Sequence, residues 1–259
     1  MIILTIMAHQ DRLSALINRF SITVTPTAPD QSNFLVLKNR ETDELTRALF
    51  SPTGGKDLVQ AENETTAFCA KAEWGGNSNP LLQTLAAHIE LKFESVPDVA
   101  ELAQILISES REPRCGSRAV VNRLGEILLV RMLRQQLNQG MTTPGLLGGL
   151  ADQRLSRAIV AMHEHPGKAW TNEILADLAG LSVSRFYQLF RLLVGMPPMV
   201  YLRNWRMGLV RQDIERGEQI QRIARRYGYR SSEALTRAFS KAYGIKPTEH
   251  RKRTLRFSN

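Results

Sequence analysis

Two stretches carry side chains that could read nucleic-acid base edges at helical spacing: SVSRFYQLFR (182–191) and SSEALTRAFSK (231–241). In each, an apolar pair at i, i+4 points inward, Phe186 with Phe190 and Leu235 with Phe239. Arg185, Tyr187, Gln188 and Arg191 are then left facing out in one stretch, and Glu233, Thr236, Arg237 and Lys241 in the other. Arg237 suits a bidentate contact to guanine, Glu233 could accept from cytosine N4, and Gln188 could pair with adenine. Ser184, Arg185, Tyr187, Arg191, Ser232, Thr236 and Lys241 are candidates for bases or phosphates. Tyr187 fits packing inside the protein equally well. Arg203, Arg206 and Lys168 suit backbone contacts, which position without specifying, and Arg225 and Arg226 suit solvated charges on the phosphate side.

Other chemistry is hard to assemble. No phosphate-cradling Gly loop with Lys, no GxSxG, and no His paired with Cys or carboxylates at a recognisable spacing is present. His163 and His165 form the one HxH, at a helix end before Pro166, and read as exposed or helix-capping imidazoles. Cys69 reads as an ordinary buried residue and Cys115 as incidental; two cysteines fit a reduced protein. Cys115 lies between Arg114 and Arg118, whose charge would favour a thiolate, so a redox sensor stays open as an alternative.

The elements that must hold the two polar faces are legible. Leu175 to Gly180 and Ile223 to Gly228 each read as a short helix running into a glycine stop, and Ser182 or Ser231 can cap the helix that follows. Helix, short turn, helix with an exposed polar face is the plan of a helix-turn-helix. Ala176 to Ala224 is 48 positions and Phe190 to Phe239 is 49, so the plan occurs twice with one residue of difference in the turn. Between the copies, Pro197 and Pro198 suit a helix start and Gly217 its end. A rod from Pro198 to Arg216 would be about 28 Å long, near the roughly 34 Å between successive major grooves.

Charge points to the same region. Residues 1–150 carry 14 Lys+Arg and 16 Asp+Glu, whereas residues 151–259 carry 20 and 9, so the whole excess of the +9 chain sits on the second part. Such a field attracts phosphate. With 43% hydrophobic and 23% charged residues the chain reads as soluble and globular. No run of about 18 apolar residues suggests a membrane span. MIILTIMAHQDR lacks the marks of a signal peptide, so a cytoplasmic protein is expected.

SITVTP, FLVLKN and TTAFCAKAEW read as strands, broken by Pro26, Pro29, Gly54, Gly55 and GGNSNP, with HQDRLSALINRF as a short helix. Sandwich and barrel are both open. Helices follow at about 98–110 and 118–137, the second with Val120, Val121, Leu124, Ile127, Leu128 and Met132 in a stripe. On periodicity alone that stripe packs on its own domain. QGMTTPGLLGGL (139–150), with four Gly and no charge, reads as a linker.

The region from about Asp152 to Arg253 resembles the DNA-binding module of AraC/XylS-type bacterial transcription regulators, on MHEHP with Trp170 and Thr171, VGMPPMVYLRNWRM, and IARRYGYRSSEALTRAFSKAYGIKP. Asn172 and His250 depart from that pattern, where an apolar residue and a Tyr are expected. DRLSALINRF, FCAKAEWGGNSNPLLQTLAAHIEL and SESREPRCGSRAVVNRLGEILLVRMLRQQL are similar to the cupin-type sensory domain of one branch of these regulators. His9 and His88 alone do not make the metal site of cupin enzymes, so no metal and no cofactor is expected. The resemblance implies a homodimer through the helix at about 118–137, with Val121, Leu124, Leu128 and Met132 in the contact. It implies double-stranded promoter or operator DNA, RNA polymerase and an unknown small-molecule effector as partners, with no membrane.

The expected fold is therefore α+β with two domains. Residues 1–138 form a small cupin-like β-barrel or sandwich with flanking helices, and residues 139–150 a linker. Residues 151–259 form an all-α domain with helix-turn-helix units at 173–193 and 220–241. The expected function is sequence-specific transcription regulation, not enzymatic. The alternatives are a metal-free cupin enzyme fused to a DNA-targeting module, and a cysteine-based redox-sensing regulator.

Overall fold

The computed structural model describes residues 11–52, 54–55, 58–75, 85, 88–112, 114–139 and 144–257. The apolar start, His9, most of GGNSNP and residues 140–143 of the expected linker lie outside them. Two compact units are present, one drawn from Phe20–Gly76 and Leu82–Ala151, the other from Asp152–Asn259 together with helix α1 (Ser14–Arg19).

In the first unit, β1 (Ile22–Pro26), β2 (Phe34–Asn39), β3 (Leu45–Phe50), β4 (Glu64–Trp74) and β5 (Ile89–Lys92) form one antiparallel sheet in the order β1-β4-β2-β3-β5. Phe68, Ala70, Ala72 and Trp74 of β4 are buried at every second position, the period of a strand with one apolar face. Central β2 is buried at Phe34, Leu35, Val36 and Leu37 in succession, so both sheet faces are covered there. Leu35, Leu37 and Leu49 pack with Leu58 and Cys69. Cys69 donates its thiol hydrogen to the Thr27 carbonyl at 3.1 Å, and burial pushes that thiol up, away from the thiolate a redox sensor uses. Cys115 is exposed.

Two helices, α2 (Pro97–Arg111) and α3 (Ser117–Gln139), pack on each other, and α3 covers edge strand β1. Asn122 Oδ1 accepts from the Val24 amide at 2.6 Å, occupying part of an edge that would otherwise be open to another strand. The stripe on α3 corrects the expected dimer contact. Val121, Leu128 and Met132 are buried within their own unit, because a sheet edge needs apolar cover and this is the helix that supplies it. Leu124 is half-buried, while Val120 and Ile127 stand in solvent.

Half of the expected linker is also folded. α4 (Leu146–Ala151) packs on α3 with Leu146, Leu147 and Leu150 buried. Each internal Gly costs a helix about 1 kcal/mol, but each buried Leu returns about 1.5 to 3 kcal/mol, so three leucines outweigh two glycines.

The second unit is helical throughout: α5 (Gln153–Glu164), α6 (Asn172–Ala179), α7 (Val183–Val194), α8 (Pro198–Glu215), α9 (Ile220–Arg226), α10 (Ser232–Tyr243) and α11 (Pro247–Phe257). Helix α1, expected within the first 138 residues' domain, packs on α5 instead, with Leu13 and Leu16 buried. Among the described residues no helix is long and apolar enough to cross a membrane.

Candidate nucleic-acid interface

Each reading helix is set by local chemistry first. Gly180 and Gly228 have φ of 65° and 75°, in the left-handed region where a Cβ is unfavourable. The Ser182 hydroxyl accepts from the Arg185 amide at 3.3 Å and the Ser231 hydroxyl from the Ala234 amide at 3.2 Å, so both second helices start capped. Phe186 and Phe190 of α7 are buried with ring centroids 5.6 Å apart, and Phe190 meets Tyr201 of α8 edge-on at 5.7 Å. Leu235 and Phe239 of α10 are buried in the same way.

What remains outside is the polar face. Ser184, Arg185, Tyr187, Gln188 and Arg191 on α7 are exposed, as are Glu233, Arg237 and Lys241 on α10 and Arg203 on α8. Among the described residues, the side chains of Arg185, Gln188, Arg191, Arg237 and Lys241 make no hydrogen bond or ion pair. The Ser231 hydroxyl, its own backbone amide and the charge of Arg237 hold the Glu233 carboxyl below the usual range, so it stands as an acceptor. Ser232 and Thr236 are half-buried, and the Thr236 hydroxyl donates to the Ser232 carbonyl at 2.8 Å.

Three expectations are corrected. Arg206, read as a phosphate contact, is half-buried and donates Nε to the Pro166 carbonyl at 2.5 Å and Nη2 to the Lys168 carbonyl at 2.7 Å, so it pins the loop ahead of α6. Arg226 is not a free solvated charge, since its Nη1 lies 2.6 Å from Asp213 Oδ2. His163 is fully buried; its Nε2 lies 2.6 Å from the Tyr201 hydroxyl and its ring stacks on Trp205 at 4.0 Å. Only His165 of the HxH pair is exposed, at the cap of α5.

These corrections expose the framework that sequence reasoning missed. Within the helical unit, α8 holds α5 through Tyr201 and Trp205 around His163, meets the first helix-turn-helix where Tyr201 packs on Phe190, and holds the second through Asp213, which accepts from Arg226 and from the Tyr227 hydroxyl at 2.8 Å. The loop 165–170 lies so close to the second turn that a Cβ on Gly167 would meet the Arg226 carbonyl oxygen at 2.1 Å. His250, a departure from the family pattern, lies 2.9 Å from Glu215 of α8 through Nε2 and packs its ring on Phe239.

Comparison with known proteins follows the same division. Residues 175–253 match a helix-turn-helix domain family and residues 19–138 a cupin family. A putative AraC-like transcription regulator of Streptomyces antibioticus is 33% identical over 221 residues, covering 76% of this chain and 73% of that protein. This chain belongs to the AraC-like family of transcription regulators. An uncharacterized HTH-type transcriptional regulator of Haemophilus influenzae is 30% identical over 173 residues, covering 66% of this chain and 58% of that protein. A putative AraC-like transcription regulator of Streptomyces lividans is 35% identical over 139 residues, covering 53% and 46% respectively. The chain thus spans about half the length of these last two relatives. Within this AraC-family chain the helix-turn-helix match contains α7, α8, α9 and α10 entire, and so every side chain of the polar faces.

Proposed function

We propose that this chain is a sequence-specific regulator of transcription that reads double-stranded promoter or operator DNA with α7 and α10, in the cytoplasm. The observation that carries the reading is the pair of capped helices whose Arg185, Gln188, Arg191, Arg237 and Lys241 are exposed and make no hydrogen bond or ion pair, each following a turn with a glycine at positive φ. Helix α8, at 18 residues, is about 27 Å long, a spacer of the order of the groove repeat. Ser184, Arg185, Tyr187, Gln188, Arg191, Glu233, Arg237 and Lys241 are the proposed contacts, with Arg203 on the backbone. Ser232 and Thr236 contribute through what their half-buried hydroxyls leave free. Arg237→Ala is expected to weaken binding to a selected operator by about 1 to 3 kcal/mol and to relax preference at one base pair. A gel-shift comparison with random DNA checks it; equal weakening on both would remove Arg237 as a reader.

Regulation would act on RNA polymerase, and the β-rich unit would bind a small-molecule effector. The proposed dimer uses the outer side of α3. Val120, Leu124, Ile127 and Arg131 recur at four, three and four residues, the spacing of a helix-packing seam, and Ile105 of α2 is exposed on the same unit. Ile127 is 47% exposed, so Ile127→Asp is expected to leave the fold intact and shift sedimentation from dimer to monomer. A variant that stays dimeric at low micromolar concentration would sink this face.

A further inference from the structure

The β-rich unit contains, among the described residues, an open cavity of about 1060 Å³ between the ends of β3 and β5, the segment ahead of β4, and the start of α2. Its floor is an ion network centred on Arg47. The guanidinium donates Nε and Nη2 to Glu64 at 3.0 and 2.7 Å, Nη1 to Glu90 at 3.1 Å, and Nη2 also to the Val59 carbonyl at 3.2 Å. Glu64 further accepts from the Thr46 hydroxyl and the Ala61 amide, at 2.8 and 2.9 Å. Arg47 above all holds the Glu64 carboxyl down at about 2, so it is an anion at any working pH.

One guanidinium therefore serves two carboxylates, and the network keeps one negative charge in excess. Glu64 is only 5% exposed and engaged by Arg47, Thr46 and Ala61, so the excess is presented to the cavity by Glu90, whose side chain is 31% exposed. Of the cavity's charged lining residues five are carboxylates, Glu44, Glu64, Glu90, Glu94 and Glu101, against Arg47 and Lys92. The N-terminus of α2 adds roughly half a positive charge, and Asp98 in its first turn is paired with Arg131, so the carboxylates remain in excess in the lining. Leu45, Phe93, Pro97 and Ala100 supply apolar wall. The volume is that of a site for a drug-sized molecule.

We propose that this cavity takes an organic cation, a primary amine or amidine carried on an apolar body, whose charge completes the Arg47–Glu64–Glu90 network through Glu90. The proposal deepens the effector reading of this unit and rests on it only for the consequence at DNA. The full chain, without DNA, is titrated calorimetrically with phenethylamine, 2-phenylethanol and phenylacetate, which share an aromatic body and differ in charge. Saturable binding of the amine at least about tenfold tighter than the alcohol, with none for the acid, is expected for a charge met by the half-buried Glu90 carboxylate beside further acidic lining residues. Glu90→Gln is expected to lower amine affinity about tenfold or more. Glu101→Gln, on the exposed rim, is expected to lower it about two- to fivefold and serves if the first variant fails to fold. Amine binding no tighter than that of the alcohol or acid, no amine binding up to about 10 mM, or amine affinity untouched in both variants overturns the assignment. Amine binding that leaves operator affinity unchanged keeps the site and overturns the effector reading instead.

Discussion

Replacing Asp213 by Ala is expected to cost the helical unit about 3 kcal/mol, seen as a lower urea midpoint, and to weaken the α10 half of the operator more than the α7 half. Asp213 is 4% exposed and accepts from Arg226 Nη1 at 2.6 Å and from the Tyr227 hydroxyl at 2.8 Å, with Tyr227 itself 2% exposed. Removing one partner of a buried charged pair costs about 3 to 5 kcal/mol, because the other group is left without compensation. The low end applies here, since the Arg226 side chain is 44% exposed and can turn to water. The Tyr227 hydroxyl has no such escape and loses its bond inside the core.

The pair also sets direction. Asp213 belongs to α8, whereas Arg226 and Tyr227 close α9 just before the Gly228 turn, so the carboxylate fixes the second helix-turn-helix on its spacer. Asp213→Asn, which keeps an acceptor for Tyr227 and drops the charge, is expected to fall between wild type and Asp213→Ala. Equal urea midpoints for Asp213→Ala and wild type would show that the packing of Ile223, Leu235 and Phe239 alone holds the unit.

The parts of this molecule that sequence reveals are those decided within a few residues. Ser182 and Ser231 cap amides three positions on, and Gly180 and Gly228 sit where a helix must turn. β1, β2 and β4 announce themselves by alternation or by a long β-branched and aromatic run. β3 and β5 do not. LTRALF has no clean alternation and becomes a strand because it pairs with β2, Phe34 opposite Phe50 and Val36 opposite Ala48; β5 has four residues and adds to the far edge of β3, Arg47 opposite Lys92 and Phe50 opposite Ile89.

The site was misread where the deciding partner is distant. Arg206 on a basic helix looks like a phosphate contact until the Pro166 and Lys168 carbonyls take its donors. Periodicity alone puts the α3 stripe on its own domain, and Val121, Leu128 and Met132 do lie in that core; it is the family resemblance that sends them to a partner subunit. Asp213 attracts no role in the sequence and His163 reads as an exposed or capping imidazole, since nothing near either shows that one is buried between α5 and α8 and the other between α8 and α9.

Acid is expected to unfold the helical unit through His163, and the sign follows from its burial. The ring is fully buried, burial pushes it from the ordinary 6.5 down to about 3, and Nδ1 has no hydrogen-bond partner among the described residues. Between those values the unfolded chain binds a proton that the folded chain refuses, so stability rises with pH. The contribution is complete above 6.5 and is lost as pH falls through 6.5 towards 3, at about 1.4 kcal/mol per unit and about 5 kcal/mol over the full window. Glu64, lowered from 4.5 to about 2, adds acid sensitivity only below 4.5, and it belongs to the β-rich unit. The helical unit also holds His165 and His250, so the difference in urea midpoint between wild type and His163→Phe, measured from pH 7.5 to 4.5, is what isolates His163. His163→Phe keeps a ring against Trp205 but strands the Tyr201 hydroxyl, a loss of about 1 to 3 kcal/mol at neutral pH. Its stability is nevertheless expected to lose the slope between pH 6.5 and 4.5. A wild-type chain with no slope there would mean that water or local opening solvates the imidazolium, and that His163 is not the sealed post between α5 and α8 that its packing describes.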